Sequence, residues 1–213
     1  MITDNIRIIP KPDNITWEEI TELIHLAFKE KAERGLKYLA TYQDIETTKK
    51  RVGDGICLVA LLDHKLVGTG SIRFFQPHSK YKKWHNKAIY AYSGQLAVHP
   101  DYKKLGIGSM LQEERIKIAI ANNADEFLSH TSIHAKDIHA FLKKFGFKKI
   151  ELISGAATNY YAVRFRLPLN DGNKYSKLYI VIRYYISMIK CVIFKDKNGN
   201  VRKLWKLLLN KEK

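Results

Sequence analysis

Two glycines, Gly106 and Gly108, stand in the stretch YKKLGIGSML (102–111) between the lysine pair Lys103–Lys104 and an apolar run. Glycine lets backbone approach a ligand closely, and a helix that begins there leaves its first N–H groups unpaired at the positive end of the dipole. Bared N–H groups beside two ammonium charges suit a phosphate. The stretch is not a G-x-x-x-x-G-K-[ST] loop, and it lacks the third glycine of a dinucleotide fingerprint. A glycine turn beside lysines also occurs as a plain connection, so its meaning depends on the elements around it.

Those elements alternate in type. IRIIP (6–10) reads as a strand, and TWEE (16–19) has the capping-box spacing that opens a helix over about 16–33. Residues 42–52 form a second, polar helix candidate. ICLVALL (56–62) and KLVGTGSIRFF (65–75) flank Asp63-His64 as a hairpin, QPHSKYKKWHN (76–86) reads as a loop, and AIYAYSGQLAV (88–98) has the aromatic and β-branched content of a central strand. Pro100 ends it. Ile107, Met110, Leu111, Ile118 and Ala121 recur at helical spacing, and EFLSHTSI (126–133) returns to strand character. The unit 88–133 is thus strand, glycine turn, helix, strand, an order that places a ligand at the carboxyl end of its strands, where the glycine turn lies.

Bulk properties narrow the class. At 213 residues and 46% hydrophobic, the chain can bury one substantial core. Its two cysteines, Cys57 and Cys191, sit in apolar runs and offer neither a disulfide framework nor a zinc spacing, so no metal is expected and a reducing cytoplasm fits. Neither a secretory signal nor a run of membrane-spanning length is apparent. The charge is +16, from 37 Lys+Arg against 21 Asp+Glu, and residues 171–213 hold eleven Lys/Arg and three Asp/Glu, net +8. Such a tail either meets an anionic partner or is simply a solvated surface.

Read from 96 to 111, LAVHPDYKKLGIGSML resembles the signature of the GNAT superfamily of N-acetyltransferases: a strand ending L-A-V, then x-P-x-Y, then [Q/R]-x-x-G-x-[G/A] opening a helix. IHAFLKKFGF (138–147) is similar to the family's downstream helix closing on Gly-Phe, and the order of elements from 6 to 167 agrees. The resemblance implies a mixed α/β fold, with a mainly antiparallel central sheet flanked by helices, over residues 1–169, followed by a basic amphipathic extension over 170–213. It implies acetyl-CoA as co-substrate. The backbone of Leu96, Ala97 and Val98 would pair with the pantetheine arm, and N–H groups of Lys103, Lys104, Leu105, Gly106, Ile107, Gly108 and Ser109 would hold the pyrophosphate. Lys103 replaces the family's Gln or Arg, which a turn working through its backbone tolerates.

Acetyl transfer needs an amine beside the thioester, removal of its proton, and a donor to the leaving thiolate. The family's tyrosine donor corresponds to Leu142, its accompanying Asn to Lys136, and the carboxylate some members carry on the fourth strand to Tyr92. Tyr92, His130 and His134 lie on or just after the strands implied to flank the thioester, and an imidazole with pKa ~6.5 is suited to act as a base directly or through water. A histidine on a strand is equally at home as a hydrogen-bonded structural residue.

ISGAATNYYAVRFRLPL (153–169) supplies a late hairpin, and Pro168, Asn170, Asp171 and Gly172 mark a boundary. In YSKLYIVIRYYISMIKCVIF (175–194), polar positions 176, 183, 187 and 190 form one narrow helical stripe, and VRKLWKLLL (201–209) repeats the design after the turn KDKNGN. Two basic amphipathic helices are expected, which either pack on the core or a second copy as a homodimer, or lie on an anionic inner-membrane surface. The leading expectation is a cytoplasmic acetyltransferase for a small-molecule amine such as an amino sugar or envelope precursor. The alternatives are a membrane-associated enzyme taking a longer acyl donor or an acyl carrier protein, a tRNA-directed acetyltransferase, and a noncatalytic acetyl-CoA-binding protein. No aromatic-basic stacking module supports a nucleic-acid partner.

Overall fold

The structure, a computed structural model, describes residues 5–76, 89–154, 158–170 and 177–194. It divides into two compact units, Met1–Phe127 and Leu128–Lys213. Together they have the mixed α/β, mostly antiparallel architecture that the resemblance implied.

In the first unit β1 (Ile6–Pro10), β2 (Ile56–Leu62), β3 (Lys65–Phe75) and β4 (Tyr90–Val98) lie side by side in that order, each pair antiparallel. The helices are α1 (Trp17–Glu33), α2 (Ile45–Val52) and α3 (Ile107–Ala121). The capping box is formed: the Glu19 N–H donates to Thr16 Oγ1 at 3.2 Å, and the Thr16 N–H donates to Glu19 Oε2 at 2.7 Å. The second helix is shorter than the 42–52 expected, because Asp44 caps its start by accepting from the Thr47 N–H at 2.7 Å. Much of the core is shared by strands and α3, with Ile6, Leu58, Ala60 and Val67 packed against Ile107 and Leu111. Gly68 permits this approach: a Cβ there would lie 2.9 Å from Ile107 Cγ2.

The second unit carries most of β5 (Glu126–Ser132), α4 (Lys136–Lys144), β6 (Lys148–Ile153), β7 (Ala162–Pro168) and α5 (Lys177–Ile189), which runs on into a π-turn over Lys190–Phe194. The strand order is β5-β7-β6, so β6 is an edge strand and α5 packs along it. A late antiparallel hairpin is present, but it pairs β6 with β7, so the stretch 153–169 expected to supply it holds only the second arm, and the first lies ahead of it at Lys148–Ile153. The second tail helix expected over 201–209 lies outside the described residues, as does most of the 76–86 loop. No helix among the described residues is long and apolar enough to cross a membrane.

Candidate functional site

The glycine turn hangs from the end of β4. The His99 N–H donates to Val67 O on β3 at 2.9 Å, and a short 3-10 turn, Pro100–Tyr102, follows. His99 Nδ1 accepts from the Asp101 N–H at 3.3 Å, and its ring meets Tyr102 edge-on at 5.4 Å. The chain then takes two left-handed residues, Lys104 at φ +67° and Gly106 at φ +80°. Gly106 is the N-cap of α3 and brings no side chain to cap it.

This conformation leaves a row of donors. The Lys103 N–H is used by Pro100 O at 3.2 Å, and the Ser109 N–H by Gly106 O at 2.8 Å. Between them, the N–H groups of residues 104–108 make no hydrogen bond among the described residues. Two left-handed residues within three positions, at the start of α3, leave these free N–H groups at the positive end of the helix dipole, where an anion is favoured. Lys103 is held beside it by Glu30, Nζ to Oε2 at 3.5 Å. Of the residues expected to bind a pyrophosphate, Lys103, Lys104, Leu105, Gly106, Ile107, Gly108 and Ser109 are therefore brought together, although Lys103 and Ser109 have spent their N–H groups internally. Leu96, Ala97 and Val98 end the strand that delivers this turn, with Ala97 buried and its neighbours half-buried.

A second feature of β4 was not foreseen. Thr69 pairs with Ala97 and Ser71 with Gly94, so Gln95 and Leu96 together face Gly70, and Gln95 takes φ +51°. Buried polar groups brace this bulge. From α3, Arg115, only 1% exposed, donates to Gly94 O at 3.3 Å and Ser71 O at 3.4 Å and also meets Gln112 Oε1. Burial lowers its pKa to about 9, so it stays charged at neutral pH. On the Gln95 side, its Nε2 donates to Thr48 O at 3.2 Å, and its Oε1 accepts from Gln43 Nε2 at 2.7 Å. The Gln43 amide also reaches Thr48 Oγ1, which in turn bonds Thr21 Oγ1 at 2.8 Å, so α1, α2 and β4 share one network.

Tyr92 lies further back on β4, half-buried, with the Arg73 guanidinium 5.1 Å from its ring centroid and Phe75 edge-on at 6.3 Å. His130, His134 and Lys136 belong to the second unit and are exposed. His130 is on β5, the His134 N–H donates to Ser132 Oγ at 3.1 Å, and Lys136 opens α4. Leu142 is buried. One histidine escaped the sequence reading: His139 on α4, with Nε2 2.9 Å from Ser132 O and its ring 5.1 Å from Phe165. That carbonyl requires a proton on Nε2. Burial, then the nearby Lys149, lowers the His139 pKa and keeps the ring neutral at physiological pH. No cluster of potential metal ligands occurs among the described residues.

Comparison with known proteins gives a consistent result. The sequence model of the Acetyltransferase (GNAT) family matches residues 17–147. Among solved structures, yncA of Salmonella typhimurium, determined with its cofactor acetyl-CoA, is 14% identical at a TM-score of 0.61, covering 81% of this chain and 99% of its own. A GNAT family acetyltransferase of Elizabethkingia anophelis with acetyl-CoA bound is 16% identical at 0.54, with 78% and 99% covered. The ribosomal-protein-S18-alanine N-acetyltransferase of Escherichia coli is 15% identical at 0.56, with 80% and 99% covered. No curated protein matches the sequence.

Proposed function

Because the chain belongs to the GNAT acetyltransferase family, we propose that it transfers an acetyl group from acetyl-CoA to a primary amine of a small-molecule acceptor, such as an amino sugar or an envelope precursor. The observation that carries the reading is the row of unbonded N–H groups over residues 104–108, at the start of α3 and flanked by Lys103 and Lys104. These groups fit a pyrophosphate. Space is open where a Cβ of Gly106 would stand, with nothing within 4 Å. Leu96, Ala97 and Val98, at the end of β4, are proposed to pair through their backbone with the pantetheine arm, and Lys136, at the start of α4, is proposed as a further cofactor-binding residue.

Acetyl-CoA would bring an acetyl group activated as a thioester. In the transfer a C–N bond forms, the C–S bond breaks, the amine loses a proton and the thiolate gains one. Tyr92, His130 and His134 are the groups proposed to move those protons. The position matching the family's tyrosine holds Leu142, whose side chain is buried and cannot donate. Protonation of the thiolate then falls to another group or to solvent. The braced bulge at Gln95 fixes the backbone of β4 ahead of Leu96, which is the kind of support a positioned thioester requires.

The test is a native mass spectrum for co-purified CoA followed by a screen of amine acceptors, with acetylated product identified by mass. Acetylation of free amines supports the reading. Product from peptide N-termini alone would replace the small-molecule acceptor with a protein one, and CoA binding without any product would point to a noncatalytic binder.

A further inference from the structure

Charge is segregated in this chain. Between Leu128 and Lys213 stand 18 Lys/Arg and five Asp/Glu, so the second unit carries net +13 of the total +16. Of its two carboxylates among the described residues, Glu151 is already engaged, by Arg164 at 2.6 Å and Arg183 at 3.7 Å.

The same unit mounts α5 in an unusual orientation. An amphipathic helix ordinarily turns its apolar stripe to the body of the protein and its polar stripe to water. Here two residues of the polar stripe, Arg183 and Ser187, face β6. Ser187 is buried; its Oγ accepts the Leu152 N–H at 2.7 Å and donates to Tyr184 O at 2.7 Å. The Cys191 thiol donates to Leu152 O at 3.2 Å, and Arg183 reaches Glu151. These contacts occupy backbone groups of an edge strand that would otherwise lie open. The opposite face, Val181, Ile182, Tyr185, Ile186, Ile189 and Ile193, is left 47–57% exposed. From Ile182 onward these residues follow helical spacing and form one continuous apolar stripe.

Beside that stripe is a cavity of about 650 Å³. Phe147, Phe165 and Val181 give it apolar walls, while Lys143, Lys148 and Lys149 also line it. Val181 belongs to both the cavity and the exposed stripe.

We propose that this unit docks on an anionic lipid bilayer, with the exposed stripe of α5 in the headgroup–acyl boundary and Lys143, Lys148 and Lys149 receiving lipid phosphates. An apolar face beside lysines that form no ion pair among the described residues matches such a surface in both its properties. A second copy of the chain matches only one, since apposing two such faces would bring net +13 against net +13. Nucleic acid would leave the isoleucines unaccounted for. The sequence beyond α5 continues the theme, with Leu204, Trp205 and Leu208 beside Arg202, Lys203 and Lys206.

Full-length protein sedimented with vesicles tests this. It is expected to co-sediment with vesicles of phosphatidylcholine and phosphatidylglycerol, not with phosphatidylcholine alone, and to be released by 1 M salt as the Debye length falls to about 3 Å. The double variant Ile186→Ser/Ile189→Ser should lower partitioning about tenfold, as should Lys148→Gln/Lys149→Gln. All four substituted side chains are exposed, so both proteins should fold, which circular dichroism checks, and both should keep wild-type acetyl-CoA affinity. Light scattering of the lipid-free protein should give a monomer. Absence of binding to the anionic vesicles, unchanged partitioning of the isoleucine variant, a dimer that Ile186→Ser dissociates, or capture by tRNA in preference to vesicles would each overturn the proposal.

Discussion

Gly106 illustrates how far a residue can be read from its sequence alone. The spacing of the two glycines located the turn, and a Cβ was expected to be excluded there by a ligand. The structure assigns the requirement first to the backbone: φ is +80° and nothing lies within 4 Å of the Cβ site. Gly106→Ala should therefore cost about 1–2 kcal/mol of stability from conformation alone, and the β-branched valine more, measured by urea unfolding. His139 was not legible, because a helical histidine carries no pattern that announces a carbonyl partner from a preceding strand. Its pKa lies below 6.5 in the folded chain, so the unfolded chain binds the proton more readily. Stability should fall as pH drops below about 6.5, where the lowered carboxylate pKa values of Glu19 and Asp44 do not yet intervene. Thermal melts between pH 7.5 and 5 should show this decline, and His139→Gln should flatten it. Equal slopes in both proteins would remove His139 as the cause.

At the level of elements, periodicity recovered the helix and strands that hold the turn. α3 spans Ile107–Ala121 and the hairpin strands span Ile56–Leu62 and Lys65–Phe75, as their patterns required. What periodicity does not carry is the contact each face makes. Gly68 looked like one more strand residue, yet it sets the distance between β3 and the start of α3. Gly68→Ala should destabilise the first unit by about 1–3 kcal/mol through the clash with Ile107, and weaken acetyl-CoA binding by displacing the N–H row. The β4 bulge was hidden for a related reason: Gln95 adopts φ +51° because Gln43, Thr48 and Arg115 hold the strand there, and those partners are 20 to 52 residues away. α5 showed its polar stripe in the sequence, but not that Arg183 and Ser187 of that stripe turn inward onto β6. Ser187→Ala removes the acceptor of a buried N–H and should cost about 1–3 kcal/mol, with the Leu152 amide exchanging faster in deuterium-exchange mass spectrometry. An unaltered Leu152 exchange rate would contradict this mounting of the helix.

Across the whole molecule, the order of elements and two motifs at their proper separation made the family legible, and a family match over residues 17–147 agrees. The proton-transfer residues were not legible, since the chain departs from the family at Leu142 and Tyr92. The account stands on the N–H row over 104–108. Calorimetry with two ligands tests it most directly: acetyl-CoA, and acetyl-pantetheine, which lacks the pyrophosphate. Wild-type protein should bind acetyl-CoA at one site, and folded Gly106→Val should bind it at least about tenfold more weakly, a loss of roughly 1.4 kcal/mol. Its affinity for acetyl-pantetheine should not change. Undiminished acetyl-CoA affinity in folded Gly106→Val, or an equal loss for both ligands, would contradict the assignment of this turn to the pyrophosphate.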